Sequence, residues 1–127
     1  MAEAAASGAG QALGRLAEDL ARRHLEDQGF EVVAANQRTA GGELDLVAWE
    51  GPVLVFVEVK GRALSYPGAP EEAVDRRKRQ RLAGAAQAYL AGLPWPEPLC
   101  RFDVVAVEFD RGRPFLRHLR DAFRPGD

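Results

Sequence analysis

Between Leu13 and His24 the apolar positions recur at helical spacing: Leu13, Leu16, Ala17, Leu20 and Ala21, with His24 closing the stripe. The pattern predicts an amphipathic helix over Gln11–Gln28, stopped by Gly29. The period then falls to two. FEVVAA predicts a first strand, and NQRTAGG, with its two glycines, a loop. ELDLVAWE alternates, with Leu44, Leu46 and Ala48 on one face and Glu43, Asp45, Val47 and Trp49 on the other. Gly51-Pro52 is a tight turn into VLVFVEVKGR, so these two segments predict a hairpin. In that second strand Val53, Val55, Val57 and Val59 share one face. Leu54 and Phe56 share the other, where Glu58 and Lys60 follow before Gly61.

Downstream, ALSYPGAPEE reads as a loop ending in Pro70 and acidic residues, the chemistry of a helix start. A long helix is predicted from about Glu71 to Ala91, then a Pro-rich connection, GLPWPEPLC. RFDVVAVEF is a further strand, Arg111-Gly112-Arg113-Pro114 a turn, and FLRHLR a last strand. The order α-β-β-β-α-β-β predicts an α/β fold, a mixed sheet flanked by helices. No repeat or linker divides the chain, so residues 1–127 read as one domain, with 1–11 as a flexible extension.

Composition narrows the classes. The start, MAEAAASGAGQ, lacks the basic and apolar regions of a secretory signal, and no apolar run reaches the ~20 residues of a membrane span. The single cysteine, Cys100, excludes an internal disulfide and suits a reducing cytoplasm, with a core or loop position expected. Only His24 and His118 accompany it, too few ligands for a structural zinc site. The net charge of −2 does not suggest a nucleic-acid binder, but its distribution does. From Lys60 to Arg81 there are seven Lys/Arg against three Asp/Glu; the rest of the chain carries 10 against 16. A basic segment on an acidic chain is either a solvated helix face or a pointer to a phosphate-bearing partner.

Glu58 and Lys60, two residues apart on a strand, share a face. Alone, the pair reads as a strand end emerging into solvent with a harmless ion pair. Hairpin pairing around Gly51-Pro52 adds Asp45 beside Glu58. Two carboxylates from adjacent strands repel without a counter-charge and suit a hard cation such as Mg²⁺. Lys60 then stands where it stabilises developing negative charge. Glu18, at the edge of the first apolar stripe, is a third carboxylate within reach of the sheet edge. On the second helix Lys78 falls inside the stripe formed by Val74, Leu82, Ala85 and Tyr89. It needs an anion there, or must snorkel out. Arg76 and Arg79 point away, as a solvated or backbone-binding face.

GELDLVA, VFVEVKGR, the Lys78 helix, RFDVVAV and the late DAF together resemble the YraN family of small bacterial predicted endonucleases. That family belongs to the PD-(D/E)xK, restriction-endonuclease-like superfamily, and is similar to archaeal Holliday-junction resolvases. The resemblance covers about Gly14 to Phe123. It implies a Mg²⁺-dependent DNA endonuclease, with Mn²⁺ as the other candidate ion. Asp45 and Glu58 become the metal carboxylates, Lys60 the catalytic lysine, and Glu18 the first-helix glutamate. Lys78 matches a helix lysine near the site, while Asn36 and Arg38 match a loop motif. Gln37 departs from the usual aromatic, and Asp121 from the usual asparagine. Arg38, Arg62, Arg76, Lys78 and Arg79 are the expected DNA contacts. Resolvase-like action on a four-way junction would favour a homodimer. The rival is a nucleic-acid-binding module without catalysis, for which clustered carboxylates that repel phosphate are a poor fit.

Overall fold

A computed structural model describes residues 2–63, 68 and 74–125, with side chains from residue 12 onward. Helix α1 (Ala2–Asp27) is followed by strands β1 (Glu31–Thr39), β2 (Gly42–Glu50) and β3 (Val53–Ala63). Helix α2 (Arg76–Ala91) and strands β4 (Cys100–Asp110) and β5 (Arg113–Phe123) complete the chain. The five strands form one sheet in sequence order. All neighbours are antiparallel except β3 and β4, the parallel pair that α2 connects. A parallel pair needs such a crossover, and its helix must pack back onto the sheet. This is the α/β, restriction-endonuclease-like architecture.

The sheet separates two apolar layers. On one face Leu44, Val47, Leu54, Phe56, Phe102 and Val104 pack with Leu82, Ala85 and Ala86 of α2. On the other, Leu46, Ala48, Val55, Val57, Val105 and Val107 pack with Ala17, Ala21 and Leu25 of α1. The central strands β3 and β4 are therefore buried on both faces, which explains their continuous apolar runs. The buried stripe of α1 is made largely of alanines. Leu13 and Leu16, expected in it, are substantially exposed.

Two glycines set how closely the helices approach. A Cβ on Gly61 would lie 2.9 Å from the Cβ of Ala17, so only glycine lets α1 settle onto the end of β3. A Cβ on Gly41 would lie 2.3 Å from the carbonyl oxygen of Gly84, so the β1–β2 turn seats directly on the α2 backbone.

A buried polar network fastens α1 to the sheet. Asp103, fully buried, accepts hydrogen bonds from Arg101 (2.8 and 3.0 Å) and the Asp121 N–H (3.0 Å). His118 Nε2 lies 2.8 Å from the same carboxylate, and His118 Nδ1 lies 3.3 Å from His24 Nε2 of α1. Burial opposes the Asp103 charge, but His118, Arg101 and the Asp121 N–H outweigh it and hold the carboxyl below its usual range.

Several boundaries differ from the expectations. The predicted loop after Ala35 is strand as far as Thr39, with Asn36 at φ 49°; the register shift within β1 lies earlier, between Val32 and Ala34. Helix α2 starts at Arg76 rather than near Glu71, because Asp75 caps it by accepting the Lys78 N–H at 2.9 Å. Val74 is buried as expected but precedes the helix. The acidic residues Glu71 and Glu72 lie outside the described residues. Cys100 is exposed at the start of β4, not in the core.

Candidate active site

The ladder between β2 and β3 runs from Glu50↔Val53 to Leu46↔Val57 and stops there. The next pair in that register would be Asp45 and Glu58. Instead of continuing the ladder, Asp45 turns its side chain inward, and Oδ2 accepts the Val59 N–H at 2.9 Å. A carboxylate thus takes the place of a strand carbonyl. The alternation of β2 breaks at the same point. Leu46 packs on the α1 side and Leu44 on the α2 side, correcting the expectation that they share a face. The splay opens a cleft of about 380 Å³, lined by Gly41, Gly42, Glu43, Asp45, Glu58, Lys78, Arg81 and Leu82.

Asp45 and Glu58 meet at its floor. Burial is the larger reason the Asp45 carboxyl is pushed up to about 7, and the Glu58 charge the second. The Val59 N–H opposes the rise, while Glu18 adds to it. Glu18 follows Ala17, which packs against Gly61, so it lies on the turn of α1 that meets β3. Among the described residues no three His, Cys, Asp or Glu side chains gather around one point.

Lys78 reaches across from α2, its Nζ 2.7 Å from Glu58 Oε1. Its inward helical position thus finds an anion, and it does not snorkel out. Lys60 follows Glu58 on the same face of β3, half-buried opposite Ala106 of β4. Among the described residues its ammonium makes no ion pair.

The basic residues expected on DNA divide into two groups. Arg38 and Arg76 are exposed. Arg62 is only 6 % exposed and lies 3.8 Å from Glu108, its register partner on β4, while Arg117 approaches the same carboxylate at 3.3 Å. That corrects its assignment to a backbone-binding surface: a buried carboxylate on the neighbouring strand draws it in. Arg79 also folds back, donating from Nε to the Val74 carbonyl at 2.9 Å with its guanidinium 5.6 Å from the Phe123 ring centre. It packs the helix start rather than pointing away.

Arg81 and Glu43 line the cleft without having been singled out from the sequence. Both carried a signal: Arg81 lies three residues after Lys78 on the helix, and Glu43 two before Asp45 on the strand.

Fold and site together define an α/β, restriction-endonuclease-like protein with two carboxylates side by side where the β2–β3 ladder stops and a helix lysine paired to one of them. The sequence pattern described as "Uncharacterised protein family UPF0102", which is the YraN family, matches residues 17–107, and the chain belongs to that family. It is similar to UPF0102 proteins of Anaeromyxobacter dehalogenans (46% identity, 91% of this chain and 90% of the relative) and Solibacter usitatus (48%; 87% and 84%). A third relative, from Xanthomonas campestris pv. campestris, is 48% identical over 92% of this chain and 95% of its own. Among the described residues no helix is long and apolar enough to cross a membrane.

Proposed function

We propose that the protein is a divalent-metal-dependent endonuclease that hydrolyses DNA phosphodiester bonds. The observation carrying this reading is the Asp45–Glu58 pair, held together where the β2–β3 ladder stops, with Lys78 ion-paired to Glu58 and Lys60 two residues further along the same strand. A purely structural site gains little from setting half-buried Asp45 beside buried Glu58, since the two carboxylates repel.

Asp45 and Glu58 would hold Mg²⁺, or Mn²⁺. Mg²⁺ is commonly held by one or two carboxylates, with waters and substrate phosphate completing its shell, and two carboxylates in an open cleft fit that demand. When bound, such a cation polarises the phosphoryl oxygen and acidifies attacking water. The protein's own residues supply the rest. The Val59 N–H fixes Asp45. Lys60, sharing the face of Glu58, offers positive charge as water adds to phosphorus and the bond to the leaving ester oxygen breaks. Lys78 and Arg81 face the same cleft from α2 and meet the phosphate charge. Arg38 and Arg76, both exposed, would be free to meet further backbone phosphates.

The test is nicking of supercoiled, single-stranded and branched DNA by the purified chain with Mg²⁺ and with chelator. Mg²⁺-dependent cleavage lost in Asp45→Asn and Glu58→Gln supports the reading. DNA binding without cleavage of any form would leave the non-catalytic binding module in its place.

A further inference from the structure

We propose that Lys78 is a displaceable counter-ion, occupying the carboxylate pair until a divalent cation takes Glu58 and releases the ammonium to the substrate phosphate. The inference rests on the reading of Asp45 and Glu58 as a cation site, and adds a competition between that cation and a residue of the chain itself.

The two carboxylates are held differently. Asp45 is fixed by a backbone donor, the Val59 N–H. Glu58, with its side chain 9 % exposed, has its ion pair with Lys78 at 2.7 Å. A carboxylate that buried, next to a second one, requires compensation, and without a metal Lys78 provides it.

The lysine is mounted so that its side chain can leave while its backbone stays. Lys78 stands in the first turn of α2, where its own N–H is tied to the Asp75 cap. The helix cannot shift easily, because Gly84 and the Gly41 turn are in backbone contact. The flexible four-carbon stem is 28 % exposed and opens onto the cleft that also receives Arg81. A cation at Asp45 and Glu58 takes over the role of the ammonium at Glu58. The freed Lys78 then joins Arg81 as a second positive group facing an incoming anion. Cation binding and phosphate binding are thereby coupled, each favouring the other.

Two consequences are measurable without any turnover. Removing the competitor strengthens metal binding, so Lys78→Met and Lys78→Gln should bind Mn²⁺ about tenfold tighter than wild type by calorimetry on the DNA-free chain. Arg77→Met removes the same charge from the same turn outside the cleft lining and should stay within about twofold. The second readout needs no variant. Lys60 and Lys78 are the only two lysines in the sequence, so the ¹⁵Nζ signals of the wild-type protein resolve to two groups. The Lys78 ammonium should be observable as a slowly exchanging, ion-paired signal in chelator, and should shift and exchange faster as Mg²⁺ saturates.

If Mn²⁺ binds through Asp45 but with equal or weaker affinity in both Lys78 variants, the competition is overturned and the cation site stands. A Lys78 signal that stays in place at saturating Mg²⁺ overturns it equally. If wild type and both variants bind no Mn²⁺, this inference and the metal reading fall together.

Discussion

Replacing Asp45 by Asn tests whether the site is built at the expense of stability. Asn keeps an oxygen to accept the Val59 N–H but removes the charge that faces Glu58. In the folded chain the Asp45 carboxyl lies at about 7 against an ordinary 3.8, so the fold favours its protonated form. Below about pH 4 the group is protonated in both folded and unfolded states, and folding loses nothing by it. As pH rises through about 7 the folded state is forced to ionise it, and that stability is lost. The interval corresponds to a ceiling of about 4 kcal/mol. Sharing of the proton with Glu58 and solvent in the cleft reduce the observable part to about 1–3 kcal/mol. In chelator, wild type should thus lose stability to urea between pH 5 and pH 8 by more than Asp45→Asn does, and the variant should be the more stable at pH 8. Saturating Mg²⁺ should restore the wild type by mass action and leave the variant little changed. A variant less stable than wild type at pH 8, or one with the same pH slope, would refute the electrostatic account of the cleft.

Three further outcomes follow from the packing. Gly41→Ala drives a Cβ against the Gly84 carbonyl with no flexible side chain to yield; a loss of about 1–3 kcal/mol in urea unfolding is expected, with weakened activity as α2 and Lys78 move off the cleft. Gly61→Ala meets only the methyl of Ala17, so a smaller stability loss should accompany a fall in cleavage as α1 lifts Glu18 from the site. Asp103→Ala strips Arg101, His118 and the Asp121 N–H of their shared buried acceptor and should cost about 3–5 kcal/mol; an unfolding midpoint near wild type would contradict the anchoring role given to this network.

The centre of the site was legible because its signals are local. The Gly51-Pro52 turn fixes a register whose continuation pairs Asp45 with Glu58, and period two puts Lys60 beside Glu58. The helical stripe carried Lys78 inward to Glu58 in the same way. What escaped the sequence depends on partners distant in the chain, or on breaks in the very periodicity being read. Strict alternation cannot foresee that β2 splays at Asp45 and sends Leu44 and Leu46 to opposite layers. The continuation of β1 through NQRT turns on one residue at positive φ. Arg62 has the sequence surroundings of a surface cation because its anion, Glu108, lies on a strand far along the chain. Arg79 departs from its helical-wheel position because the Asp75 cap moves the helix start and brings the guanidinium back onto Val74 and Phe123.

The nuclease reading is tested most sharply by the Lys60→Ala variant, measured twice on one DNA: cleavage rate in Mg²⁺, and affinity in Ca²⁺. Lys60 lies beyond the buried run of β3, which ends at Glu58, and is itself only half-buried, so the variant should fold. Loss of a positioned charge at the reacting phosphate predicts a fall in cleavage of about 10²-fold or more. Affinity should change little, since one phosphate contact among several contributes modestly. Equal losses of cleavage and binding would make Lys60 a phosphate anchor, and a wild type that cleaves no nucleic acid with Mg²⁺ would contradict the nuclease account itself.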